Sequence, residues 1–198
     1  MTPLGRLLKR TIDALIALFC IIVFAPLFVV CYIAIKLDDH GPALYKQERI
    51  GHHGKPFYIY KFRSMSPNAE ATDTPMLLNA DGDPRLTKTG KFLRAHHLDE
   101  LPQIWNVLVG DMAFVGPRPE RRYFIDQIMQ HDPRYEYLYQ IRPGVTSYAT
   151  LYNGYTDTMD KMLRRLHYDL YYLEHRSFLF DCKVLWRTFW RIVRGDRF

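Results

Sequence analysis

Asp99 and Glu100 are adjacent carboxylates in the run Leu98-Asp99-Glu100-Leu101-Pro102, where a helical pattern begins. Such a pair can cap a helix and complement its dipole. It can equally handle a metal-bound phosphate, because a carboxylate can attack phosphorus to give an acyl phosphate while its neighbour holds Mg²⁺. Basic residues in rigid settings would complete that chemistry. Arg118 lies between Pro117 and Pro119, and Arg142 precedes Pro143-Gly144. A guanidinium held this way has little entropy left to lose, which suits bidentate contact with phosphate. Lys61 and Arg94 add further positive charge, although any of the four taken alone is an ordinary salt-bridge or solvated residue. His96 and His97 have no further His or Cys at ligand spacing, so zinc is not expected.

The elements that must position these groups read as an α+β fold, mainly helical. Residues 43–65 form a β-hairpin around Gly51-His52-His53-Gly54, with Lys61 and Arg63 on one face of its second strand. Residues 66–90, rich in Pro, Asn, Asp, Thr and Gly, read as a long loop. A helix from about residue 98 takes Asp99 as N-cap and Pro102 in its first turn, and ends at Gly110-Asp111. Its apolar stripe is Leu101, Ile104, Trp105 and Leu108. A short strand at 112–115 leads into Gly116-Pro117-Arg118-Pro119, and helical patterns follow over 120–131, 133–140, 158–175 and 178–194.

With 198 residues, 48% of them hydrophobic and 15% aromatic, the chain can bury a core and is not a disordered segment. Three widely spaced cysteines, Cys20, Cys31 and Cys182, write no disulfide framework, and a reducing compartment fits. The formal charge of +6 is confined to the ends: residues 1–36 carry a net +3, residues 176–198 a net +4, and the middle a net −1. Each basic end also holds an apolar segment, which points to an anionic membrane surface rather than nucleic acid. No nucleic-acid motif is present.

Residues 14–35 contain no formal charge, and at about 1.5 Å per residue they could cross a hydrocarbon core as a straight helix. Pro26 removes a backbone donor mid-way, so a kink is expected near Ala25. A spanning helix and a re-entrant one that returns to its starting face both remain open, since basic residues flank both ends. In the last helix Lys183, Arg187, Arg191 and Arg194 form one face, with Phe178, Cys182, Leu185, Trp186, Phe189 and Val193 on the other. That is the pattern of a helix lying in a membrane interface; the alternative is a helix packed on the core with a solvated face.

The run 93–120, LRAHHLDELPQIWNVLVGDMAFVGPRPE, closely resembles the signature of the bacterial sugar transferases. These are small monotopic phosphoglycosyl transferases that start glycan assembly on polyprenol phosphate. Tyr60-Lys61-Phe62-Arg63-Ser64-Met65, Ile141-Arg142-Pro143-Gly144-Val145-Thr146 and Tyr168-Asp169-Leu170-Tyr171-Tyr172 match in the same order, and the likeness runs from about residue 6 to 194. The resemblance implies a re-entrant membrane-anchoring helix at 1–37. Beyond it, 38–198 would form a compact cytoplasmic catalytic domain with a β-hairpin and interfacial amphipathic helices.

It implies that a UDP-sugar loses UMP while its sugar phosphate passes to polyprenol (undecaprenyl) phosphate. Asp99 matches the nucleophile that becomes phosphoglycosylated, and Glu100 the Mg²⁺ ligand beside it. Lys61, Arg94, Arg118 and Arg142 match basic residues near the diphosphate and the carrier phosphate. Pro117-Arg118-Pro119 is expected near the nucleotide, and Asp169 matches an acidic residue of the same site. Partners implied are the donor, the carrier and membrane lipids but no nucleic acid; a homodimer is left open.

The implied location is the cytoplasmic face of a bacterial inner membrane. The donor is made in the cytoplasm, so Asp99 and the chain from Lys36 onward must face it. Arg6, Lys9 and Arg10 favour the same side, and a bend at Pro26 satisfies both.

Two departures from the family pattern stand out. The bend carries Ala25-Pro26 where many relatives have Ser-Pro, and Ser147-Tyr148-Ala149 stands where relatives continue with Gly-Trp. The chain is expected to lack the extra N-terminal membrane helices of larger relatives and to be the minimal catalytic unit. The rival reading is a catalytically silent membrane adaptor of a glycan-assembly complex, against which the retained acidic pair and basic residues weigh. No residue specifies the sugar.

Overall fold

The computed structural model describes residues 2–67, 69, 83–154 and 156–195. The chain opens with α1 (Pro3–Val23) and α2 (Ala25–Asp38), bent by 61° at Phe24. Thr2 caps α1 by accepting a hydrogen bond from the Gly5 N–H. Pro26 falls in the first turn of α2, where a missing donor costs little, so the break sits one residue before the expected kink. Main-chain bonds continue through it, Phe24 N–H to the Cys20 carbonyl and Phe28 N–H to the Phe24 carbonyl. Among the described residues no single helix is long and apolar enough to cross a membrane, whereas the bent pair passes that test together.

Both helices are anchored on the rest of the chain. Ala17 of α1 packs with Ile59, Ile104, Val107 and Met112, while Cys31 and Ile35 of α2 pack with Ala43, Phe62 and Leu93. Their remaining surface leaves Leu15, Ile16, Phe19, Ile22, Val29, Val30 and Ile33 exposed.

The hairpin forms as expected from alternation: β1 (Leu44–Ile50) pairs antiparallel with β2 (Pro56–Phe62), Leu44 opposite Phe62 and Ile50 opposite Pro56. Residues 68 and 70–82 of the expected 66–90 loop lie outside the described residues, and the end of that stretch is not loop. Helix α3 (Lys88–Ala95) starts there, capped by Thr87, whose hydroxyl accepts from the Gly90 N–H. It was hidden by its brevity and by its glycine. Gly90 is required, because a Cβ there would lie 1.9 Å from the Ser64 carbonyl oxygen. The helix is thereby pressed against the chain just beyond β2.

The acidic pair does not begin a helix. Leu98–Glu100 is one turn of 3-10 helix, entered through His97 in the left-handed conformation (φ 55°). Helix α4 (Gln103–Val109) starts three residues later with Pro102 in the cap position, so Asp99 is freed from a capping role. Its buried face is Gln103, Ile104, Asn106 and Val107, and Trp105 is 52% exposed, outside the stripe expected for it.

β3 (Ala113–Val115) follows and pairs in parallel with β4 (Gly144–Thr146), a strand that three residues of unremarkable sequence did not announce. Between them lie α5 (Arg122–His131) and a 3-10 stretch over Pro133–Gln140, tighter than the α-helix expected there. The chain ends with α6 (Thr150–Asn153), α7 (Met159–His175) and α8 (Phe178–Arg194).

In α8 neither expected face is the packed one. The helix rests on the body through Asp181, Val184 and the Thr188 hydroxyl, which bonds Thr146. Both the basic stripe and the aromatic stripe are left outward except for the half-buried Arg191, with Trp186 at 62% and Phe189 at 55% exposure.

Candidate active site

Four elements converge on Asp99 and Glu100. From the end of β2, Lys61 Nζ lies 2.6 Å from Glu100 Oε1. From the loop after β3, Arg118 Nη2 lies 3.2 Å from the same oxygen. From α3, Arg94 acts on Asp99 by its charge, its Nε held by the Ser64 hydroxyl at 2.8 Å. From α7, Asp169 accepts a hydrogen bond from the Arg118 backbone N–H.

The two acids of the pair are treated differently. Glu100 takes both cations, and although burial pushes its carboxyl up, Lys61 and Arg118 hold it well below the usual carboxylate range. Asp99 is 6% exposed, and among the described residues its carboxylate has no hydrogen bond or ion pair. Burial, and then the negative charge of Glu100, push it up to about 6. Asp99 is thus a buried carboxylate with nothing tied to its oxygens, beside cations within range of its charge. The Lys61 ammonium is lowered mainly by burial and held charged by Glu100.

Pro117, Arg118 and Pro119 are fixed on both sides. The Pro117 carbonyl accepts from the Gly144 N–H. A Cβ on Gly116 would lie 2.4 Å from the Arg142 carbonyl oxygen, so the two chains meet backbone to backbone. Glu120 ends the loop as a buried acid between two arginines: Arg49 Nη1 at 2.6 Å and Arg165 Nη2 at 2.8 Å. Burial raises its carboxyl, but Arg165 and Arg49 outweigh that and bring it to about 2. The Glu120 carbonyl also accepts from the Ile50 N–H, tying the loop to the hairpin. Asp169, 2% exposed, has one oxygen without a partner among the described residues and is pushed up to about 7 by burial.

The structure therefore gathers Asp99, Glu100, Lys61, Arg94, Arg118 and Asp169, with Pro117 and Pro119 as the frame of Arg118. It does not bring Arg142 to this group. The Arg142 Nε donates to the Gly110 carbonyl at 2.7 Å, and the side chain lies beside Arg10 in a separate cleft. Sequence reasoning missed Glu120, Arg49, Arg165 and Ser64 as supports. Ser64 stood within a quoted motif, but the partners of Glu120 lie 71 and 45 residues away and carry no local pattern.

A family model described as bacterial sugar transferase matches residues 4–195. This chain belongs to the bacterial sugar transferase family. Among its relatives, the UDP-N-acetylgalactosamine-undecaprenyl-phosphate N-acetylgalactosaminephosphotransferase of Aeromonas hydrophila is 38% identical over 98% of this chain and 45% of its own length. A UDP-glucose:undecaprenyl-phosphate glucose-1-phosphate transferase of Escherichia coli is 39% identical over 94% of the chain and 41% of its own length. One of the same name from Caulobacter vibrioides is 40% identical over 98% of the chain and 74% of its own. The chain thus spans under half of the first two relatives. The matched region includes every residue of the Asp99 group.

Among the described residues no group of three or more His, Cys, Asp and Glu gathers to hold a metal unaided. Mg²⁺ characteristically takes one or two carboxylates and completes its shell with water and substrate phosphates. The Glu100 oxygen not bonded to Lys61 and Arg118 suits that partial role.

Proposed function

We propose that this chain transfers a sugar phosphate from a UDP-sugar to polyprenol phosphate, in two steps through Asp99. The observation that carries the reading is the buried Asp99 carboxylate, without a partner among the described residues while its neighbour Glu100 binds Lys61 and Arg118. In the first step an Asp99 oxygen attacks the phosphorus that bears the sugar, and the bond to the bridging oxygen breaks to release UMP. In the second, a phosphate oxygen of the carrier attacks the same phosphorus. Asp99 leaves as carboxylate, and the product is a polyprenol diphosphate sugar. Lys61, Arg94 and Arg118 offset charge that builds on the phosphoryl oxygens, where fixed donors act most strongly.

Glu100 would hold Mg²⁺ together with substrate phosphate oxygens. When bound, the ion would withdraw charge from the diphosphate. The relatives' names carry N-acetylgalactosamine and glucose, and another names galactose, so the sugar is chosen below the family level.

The site would serve a lipid acceptor from the cytoplasmic face of the membrane. α1 and α2 would form a re-entrant wedge whose exposed leucines, isoleucines and phenylalanines meet lipid, and α8 would lie in the interface. Main-chain bonding through the bend supports this, since unpaired backbone groups are costly in hydrocarbon.

UMP release from a panel of UDP-sugars with undecaprenyl phosphate tests the activity. Mass spectrometry with donor alone should show a phosphosugar adduct on Asp99; no adduct under trapping, with UMP released only once the acceptor is added, would instead support direct transfer. Cysteines placed at Thr2 and Asp39, in a chain lacking Cys20, Cys31 and Cys182, should both resist an impermeant periplasmic thiol reagent. Labelling at Thr2 alone would mean the segment spans.

A further inference from the structure

A second concentration of positive charge lies in a cleft of about 360 Å³ between α1, the His52–Gly54 turn, β3 and the junction of α7 with α8. It is lined by Arg6, Arg10, His52, Arg142 and Arg176, and by none of the Asp99 group. Its volume falls within the range of about 300–1,000 Å³ common to small-molecule sites.

The charges in it are unevenly matched. Asp13, which also lines the cleft, is held by Lys9 at 3.2 Å, and Lys9 reaches Asp181 at 2.7 Å. Tyr172 donates a further hydrogen bond to Asp181. The local acids are thus occupied. Arg10 donates to the Val107 and Leu108 carbonyls, closing the end of α4. Arg142 commits only its Nε, and the side chains of Arg6 and Arg176 have no hydrogen bond or ion pair among the described residues. Burial lowers both arginines, and a like charge adds to it, Arg10 on Arg142 and Arg6 on Arg176, while Asp13 and Asp111 act against it on Arg142, and Tyr172 and Asp181 on Arg176. Guanidinium groups stay protonated, so an anion is what relieves such crowding.

We propose that this cleft binds a phosphate group, as monoester or diester, through Arg6, Arg142 and Arg176. Planar forks approaching from separate elements match the several oxygens of a phosphate. The group could belong to a lipid headgroup or to a soluble phosphate. Leu7 lines the cleft and is exposed together with Leu4 and Leu8, so acyl chains would find an apolar rim beside Arg6. The lipid source rests on the re-entrant reading of α1; the site itself does not.

The test is thermal unfolding of the full chain in detergent, titrated with inorganic phosphate or with dihexanoyl phosphatidylglycerol, against sodium chloride at equal ionic strength. The midpoint temperature should rise saturably. Arg176→Gln and Arg6→Gln should each weaken the apparent affinity by about tenfold or more, as loss of a charge-assisted bond does. Arg6 lies in the exposed first turns of α1, so its variant reports even if the Arg176 variant fails to fold. Saturation by the lipid alone assigns a headgroup, and saturation by phosphate alone a soluble ligand. No saturable rise with either probe overturns the proposal. So does a rise that shifts with Arg118→Gln but not with the two cleft variants, because the signal would then belong to the Asp99 group. UMP release scores the catalytic reading separately.

Discussion

The Asp99 group and the Arg142 cleft are built from the same kinds of residue, arranged with opposite remainders. Around Asp99 the cations Lys61 and Arg118 are committed to Glu100, and a carboxylate is left over. In the cleft the carboxylates Asp13 and Asp181 are committed to Lys9 and Tyr172, and guanidinium groups are left over. A charged residue's chemistry is set by whether its neighbours have already claimed it. Counting basic residues therefore says less than asking which one lacks a partner.

The largest test of this contrast is Asp99→Asn. An amide cannot form the acyl phosphate, so UMP release should fall by at least about 10²–10⁴-fold while the unfolding temperature holds. Activity within tenfold of wild type would remove Asp99 from the nucleophile role. Next comes the support beneath Arg118. Glu120→Gln leaves Arg49 and Arg165 buried without their acid, and a loss of about 3–5 kcal/mol in stability is expected. Chemical denaturation measures it, and Arg165→Met added to Glu120→Gln should recover part of the loss.

Asp169 gives a pH-dependent effect. Its folded value of about 7 lies above the ordinary 3.8, so the folded chain holds this proton more tightly than the unfolded one. Stability from this group is full below the unfolded value and is lost as pH rises towards 7. Asp169→Asn should therefore gain on wild type by about 2–3 kcal/mol between pH 5 and pH 8. An unchanged difference between those pH values would show that Asp169 ionises as an exposed carboxyl does.

Arg118→Lys exchanges a fork for a point charge and should cost about tenfold in kcat/KM for the UDP-sugar. Smallest, Pro26→Leu should straighten the bend in only part of the population, read as partial labelling of a cysteine at Thr2.

What the sequence disclosed was what neighbours in sequence decide. The hairpin came from alternation, α5, α7 and α8 from helical period, and the Asp99 group from motif order. Helix α3 escaped because Gly90, which lowers helix propensity, is there for contact with Ser64. The role of Asp99 as a cap failed because His97 inserts a left-handed residue and turns the chain before α4 begins. The fixity of Arg142 was legible in Pro143-Gly144, but its direction was not, because Gly110 and Arg10 determine it from 32 residues upstream and beyond. In α8 two faces were read correctly as basic and aromatic, yet the packed strip between them rests on Asp181, whose partners lie on α1 and α7.

The backbone contact between Gly116 and Gly144 bears on how this protein can be re-engineered. A Cβ on Gly144 would lie 2.2 Å from the Gly116 nitrogen, so no methyl fits on either side. The loop carrying Arg118 and the strand following Arg142 are then one unit of exchange. Chimeras built to change the donor sugar should take 113–120 and 142–146 from a single parent. A graft of either segment alone would import a main chain fitted to a partner that stayed behind.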